Sequence, residues 1–285
     1  MGKTGSVSLA QQFFQRRDTS CQVLDEGGVE VLAVEEPTQL ANFVAFCKAR
    51  NRRIYLRGHS SPHPTLFPTL FRGPVDGHDA LWTAYNAFIG RLSASVRGTR
   101  FRRRNFGAVL QHYGFRTPWL DVVDDLHAAV WFALNDCDRL NDGSFAYRPV
   151  EREHGWITLI SPTRELRVQD LRESQSSRNT RCHVQQGFSI AMQIDGAVSS
   201  APNQDLARYV VATVRVPSAE RWRVTGFRAS QRYFFPTEAV DDTYAKLRST
   251  DVACLVAKVE VENGVEAGAL GRVAVYTEPE PERGA

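Results

Sequence analysis

The chain has 285 residues, 42% hydrophobic and 24% charged, with a net charge of +3. That is ordinary globular composition, long enough for one large domain or two small ones. No apolar run reaches the ~18–20 residues of a membrane span, and the first twenty residues lack the apolar core of a secretory signal.

The five cysteines, Cys21, Cys47, Cys137, Cys182 and Cys254, form no CxxC pair. Neither a zinc site nor a disulfide framework is indicated, and a reducing cytoplasm is the expected location. Residues 1–20 read as a weakly ordered N-terminal segment. The run VEVLAVEE after Gly27-Gly28 alternates like a strand. Pro37 opens a helix whose buried face is Leu40, Phe43, Val44 and Cys47, at 3–4 spacing. Arg52 to His59 is a short strand ending in Arg57-Gly58. The three-proline segment after it, with His59 and His63, reads as an ordered loop packed by Leu66, Phe67 and Leu70. A helix then runs from about Asp76 or His78 to Val96, burying Leu81, Tyr85, Phe88 and Leu92. The Arg97–Arg104 run reads either as a solvated face or as a contact with nucleic acid.

Asn105 to Leu134 reads as helix, strand and helix, with Gln111, His112, Tyr113 and Gly114 at the first joint. Thr117 follows, then the strand Trp119-Leu120-Asp121. Asp121 or Asp124 is the expected cap of the second helix. Asn135 to His154 is expected as an exposed loop. Gly155 to Ser161 is a buried strand, and Leu166 to Glu173 suits a helix. Arg181 to Met192 suits a strand interrupted by Gly187, and Arg208 to Val216 another. Glu220 to Arg228 adds a short element, and Phe235 to Leu247 a helix. Asp251 to Val261 and Gly271 to Tyr276 complete the strands. Residues 277–285 are acidic, proline-bearing and expected to be disordered. Helices crowd the first half and strands the second, which predicts an α+β domain around a mixed or antiparallel sheet over residues 21–276.

Several side chains in this frame can carry chemistry. Arg57 before a glycine suits an anion, gripped by the guanidinium fork while bare backbone lets it approach; an ion pair with Asp121 or Glu238 is the alternative. His112 can transfer a proton near neutral pH, and Tyr113 can stack a ring. Gln185 and Gln186, beside Gly187, can hydrogen-bond a ribose hydroxyl or an amide. Asp241, Asp242 and Glu238 cluster at a helix start, where the helix dipole accounts for them. No Walker, GxGxxG, HExxH or GxSxG motif is present.

Gln111 to Gly114, Thr117, Leu120 and Asp121 resemble the central signature of the FRG domain family. Leu56-Arg57-Gly58 is similar to its Phe-Arg-Gly element, with leucine for phenylalanine. Pro68-Thr69-Leu70 with Arg72, the alanine-rich helix Ala128 to Ala133, Arg181 to Phe188 and Phe235-Pro236 are similar to its further elements. The likeness runs from about residue 52 to 247. Val122 and Val123 stand where the family has Trp and Thr.

A looser likeness is to ADP-ribosyltransferases. It rests on the order Arg57, then Thr117 with the Ala128–Phe132 helix, then Gln185 or Gln186. It implies a cleft of that kind and an enzyme consuming NAD as substrate, acting as a toxin or anti-phage effector. The acceptor would be nucleic acid or protein, with an antitoxin or immunity protein as partner. Under it His112, Gln186 and Glu238 are the catalytic candidates, while Arg57, Gly58, Gln111, Tyr113 and Thr117 hold the NAD; no metal is implied. A metal-independent nuclease using His112 and a non-catalytic nucleotide sensor are the alternatives.

Overall fold

The computed structural model describes residues 12–14, 22–51, 53–73, 75–95, 106–150, 154–174, 180–194, 197–198, 204–226 and 229–277. The Arg97–Arg104 run, most of the N-terminal segment and the tail beyond Thr277 lie outside these residues. Among the described residues no helix is long and apolar enough to cross a membrane.

Strands β1 (Gln22–Glu26) and β2 (Val29–Ala33) form a hairpin turning at Gly27-Gly28. Helix α1 (Pro37–Arg50) buries Leu40, Phe43, Val44 and Cys47, the expected face. Proline at its first position needs no amide partner there, and Gln39 turns back to accept from the Glu36 amide at 3.2 Å. Strand β3 (Tyr55–His59) leads to the proline-rich loop, which contains a 3-10 turn at Thr69–Phe71. Helix α2 (His78–Ser95) buries Tyr85, Phe88 and Leu92 as expected, while Leu81, expected on the same face, is only partly buried.

The central stretch folds as helix α3 (Phe106–Gln111), strand β4 (Leu120–Val123) and helix α4 (Leu126–Ala133). Asp125, not Asp121 or Asp124, caps α4 by accepting from the Ala128 amide at 2.7 Å. The expected loop after it is instead a hairpin, β5 (Asn135–Arg139) and β6 (Phe145–Pro149). Strand β7 (Gly155–Ile160) is buried throughout. The expected helix at 166–173 is mostly strand β8 (Leu166–Asp170), with only the short helix α5 (Leu171–Ser174) after it.

The expected long strand from Arg181 begins as helix α6 (Thr180–Val184), and strand β9 (Gly187–Ile194) starts at the glycine. Strands β10 (Ala197–Val198) and β11 (Val210–Val216) follow. Then come the short helices α7 (Ala219–Val224), α8 (Gln231–Phe234) and α9 (Asp242–Leu247). The segment read as a strand at 251–261 is helix α10 (Thr250–Glu262). Its β-branched residues look strand-like, but Val252, Val256 and Val259 are buried at helical spacing. Residues 271–276 contribute isolated bridges from Gly271 and Tyr276 rather than a strand.

Among the described residues the main sheet runs β1-β2-β11-β7-β3-β4-β9-β10, with β8 also on β9. It is mixed: β2 and β11 are parallel and the other neighbours antiparallel. The fold is therefore α+β. Helix α4 lies close against β3 because Gly58 has no side chain: a Cβ there would meet the Ala129 carbonyl oxygen at 2.0 Å and the Ala133 nitrogen at 2.7 Å. The glycine admits a helix, where a ligand or loop was expected to make the close approach.

Candidate functional site

Strand β3 pairs with β7 from Tyr55 to His59, and β4 pairs with β9 from Leu120 to Val123. Between β3 and β4 only Leu56 and Val123 are paired. Past that pair the strands diverge and a cleft of about 270 Å³ opens. Arg57 and His59 line it from β3, Gln111 and His112 from the end of α3, Asp121 from β4, and Gln185 from the turn before β9. Phe132, Tyr147, Phe235 and Tyr276 form its aromatic side. Phe235 and Tyr276 stack at 4.0 Å, and Tyr147 and Phe235 at 4.9 Å. The volume falls just short of the ~300 Å³ at which small-molecule pockets usually begin, so a larger ligand must extend out of the mouth.

His112 is held from three directions by the Arg181–Gly187 segment. The Arg181 guanidinium donates to the His112 carbonyl at 2.9 Å. The Gln185 amide nitrogen donates to the Phe234 carbonyl at 2.8 Å, so its oxygen is turned to His112 Nδ1 at 2.7 Å. That oxygen can only accept, which places the proton on Nδ1. Gly187 lets the ring lie close, since a Cβ there would stand 2.9 Å from His112 Cε1. Nε2 is thereby directed at Asp121 Oδ1, 3.2 Å away but off the line of a hydrogen bond. Burial pulls the imidazole pKa down, the Asp121 carboxylate and the Gln185 contact push it up, and the net result is a raised pKa.

Arg57 donates to the Asp121 backbone carbonyl at 2.5 Å, across the gap between the strands. Among the described residues no carboxylate forms an ion pair with its guanidinium. Burial lowers its pKa, against the upward pull of Asp121 and Tyr147. His59 is buried with Nε2 2.7 Å from Thr158 Oγ1. Burial first, then Arg57, His63 and Arg72, hold its pKa well below the usual histidine value. The cleft thus contains one histidine pushed toward the charged form and one pushed toward the neutral form.

The structure divides the residues singled out in the sequence. Arg57, Gly58, Gln111 and His112 line the cleft, and so does Gln185. Thr117 is buried behind Gln111, donating to its side-chain oxygen at 2.6 Å, which turns the Gln111 amide group toward other partners. Tyr113 is wholly buried and donates to Asp241 at 2.9 and 3.0 Å. Asp241 also caps α9 through the Tyr244 amide and accepts from the Arg181 amide. The Arg181 guanidinium lies over Tyr113 and Tyr244 at 4.6 and 4.5 Å, so this buried group is part of the framework behind His112.

Gln186 lies outside the cleft, accepting from Arg172 at 2.5 Å, with a positive φ of 50°. Glu238 is exposed and bonded to Arg248 at 3.1 Å. Asp121, expected as a helix cap or an ion-pair partner of Arg57, is the carboxylate facing the cleft. Nothing in the sequence joins the four rings of the aromatic side, because they come from the β5–β6 hairpin, α4, the end of α8 and residue 276. Among the described residues no group of three His, Cys, Asp or Glu side chains is placed to hold a metal ion.

The family model of the FRG domain matches residues 52–142. No curated protein and no solved structure matches the chain. The match takes in Arg57, Gln111, His112 and Asp121, and excludes Gln185 and the later aromatic residues. Four of the cleft's polar residues, Arg57, Gln111, His112 and Asp121, thus fall within residues 52–142, where the chain matches the FRG domain.

Proposed function

We propose that the cleft binds NAD and that the chain is an ADP-ribosyl-transferring enzyme. The observation that carries this reading is the meeting, in one cleft, of Arg57, which among the described residues has no carboxylate ion pair, the Asp121 carboxylate and the stacked aromatic rings. Arg57 suits a phosphate. The rings suit the flat, cationic nicotinamide. Loss of nicotinamide leaves positive charge on the ribose, and a nearby carboxylate steadies it. Asp121 takes that role in place of Gln186 or Glu238. Gln111 and Gln185 lie beside it as the polar groups for ribose or carboxamide. A nucleic acid or protein would approach the mouth as acceptor. The test is nicotinamide release from NAD by the purified chain, with and without macromolecular acceptors, alongside NAD binding by calorimetry. Neither release nor binding would end this reading; binding without turnover would favour a nucleotide sensor.

The opposed histidines favour a second reading, a metal-independent nuclease. His59, held neutral, would take a proton from the attacking hydroxyl, and His112, held charged, would give one to the leaving oxygen. It predicts RNA or DNA cleavage in chelator that His112→Ala abolishes. Unchanged cleavage in that variant, or none in the parent, rejects it.

A further inference from the structure

Basic side chains gather at the mouth of the cleft, and among the described residues its arginines form no ion pair with a carboxylate. Arg57 and His59 are alternate residues of β3 and so lie on one side of the strand. The His63 ring stands edge-on to His59 at 5.1 Å. The loop carrying His63 and Arg72 is tied to the central stretch twice. The Leu70 amide donates to the Thr117 carbonyl at 3.1 Å, and the Thr117 amide to Thr69 Oγ1 at 3.1 Å. These ties bring Arg72, just after the loop's 3-10 turn, alongside Arg116, just before Thr117. Arg72 Nε donates to the Phe67 carbonyl at 3.0 Å, which anchors the guanidinium and leaves its terminal nitrogens to other partners.

Among the described residues none of Arg57, Arg72 and Arg116 forms an ion pair with a carboxylate. Burial, then Arg57 and Arg116, bring the Arg72 pKa down to about 10, against the pull of Asp121. Like charges so placed repel one another, and an anion of several charges relieves that cost.

We propose that Arg72 and Arg116, beside Arg57, form a second anion subsite at the cleft mouth that takes the outer of two linked phosphates. This rests on the nucleotide reading and narrows its ligand. Arg57 takes the inner phosphate, and the outer one crosses the tied loop. Two sources present this chemistry: the diphosphate of a small nucleotide, and successive phosphates of a nucleic-acid strand.

The test is calorimetry on the full chain and on an Arg72→Gln/Arg116→Gln variant, with inorganic phosphate, inorganic pyrophosphate, AMP, ADP and a short single-stranded oligonucleotide. Pyrophosphate should bind at least about 10-fold more tightly than phosphate, and ADP than AMP, a margin of ~1.4 kcal/mol. The variant should lose that margin while its AMP affinity and melting temperature stay unchanged. Equal affinities for one and two phosphates, or a margin that survives in the variant, overturn the subsite. AMP binding without pyrophosphate binding rejects the subsite and spares the nucleotide reading. Pyrophosphate binding to which the nucleoside adds nothing does the reverse. Loss of binding to all five rejects both. Oligonucleotide binding stronger than ADP binding assigns the subsite to a strand; weaker binding assigns it to a small nucleotide.

Discussion

Asp121 Oδ1 stands 3.2 Å from His112 Nε2, while Gln185 fixes the opposite ring nitrogen as a donor. The orientation of one amide thus determines which imidazole nitrogen faces the cleft carboxylate. That tautomer follows from the Gln185–Phe234 bond, a contact between residues far apart in sequence.

The raised His112 pKa gives stability a definite pH dependence. The folded chain retains this proton above the ordinary histidine value of ~6.5, where the unfolded chain releases it. The contribution is complete below that value and is lost as pH rises through the higher folded-state pKa. Urea melts from roughly pH 5 to pH 9 should therefore show stability falling through this window. Asp121→Asn should flatten the fall and lower the His112 pKa measured by NMR. An unchanged slope would assign the effect to another group.

Under the ADP-ribosyl reading the same Asp121→Asn variant should release nicotinamide about 10²-fold more slowly, with NAD affinity nearly unchanged. Parallel loss of binding and rate would make Asp121 a binding group rather than a stabiliser of the developing cation.

Gly58→Ala should lower stability by about 1–3 kcal/mol or more, because Ala129 and Ala133 backbone atoms occupy the space of the new methyl. Thermal melting measures this directly. A melting temperature equal to that of the parent would mean α4 can move away from β3 at little cost.

Tyr113→Phe removes one donor from a carboxylate that keeps two backbone amides. Stability should fall by about 1 kcal/mol and nucleotide affinity should hold. A selective loss of affinity would return Tyr113 to the ligand.

Gln186→Ala and Glu238→Ala should leave nicotinamide release unchanged, since both side chains lie outside the cleft and are engaged by Arg172 and Arg248. A drop of about 10-fold or more in either variant would place its side chain at the reacting atoms.

Local patterns were legible where one face of one element set the answer. Helix α1 has its proline start and four buried residues in the sequence, and the structure keeps them all. Helix α10 misled because its valines satisfy strand propensity, while their burial at helical spacing emerges only on packing. The polar half of the cleft was legible for a similar reason: Arg57, Gln111, His112 and Gln185 are costly to place among apolar strands and helices without partners or a ligand. Tyr147 lies in a stretch expected as an exposed loop, Phe235 at an expected helix start and Tyr276 at an expected strand end, and only the tertiary fold makes them a wall. Tyr113 shows the reverse error. Its place beside His112 suggested a ligand contact, but successive residues after a helix point in different directions, and this one points into the core.

The single Leu56–Val123 pair gives the sheet a mechanical character. Two well-laced ladders, one ending at β3 and the other beginning at β4, share one rung. A ligand gripped by Arg57 on one ladder and by His112 and Asp121 on the other would act as a staple across that seam. Occupancy and sheet rigidity would then rise together, and amide protection on β3 and β4 would report binding.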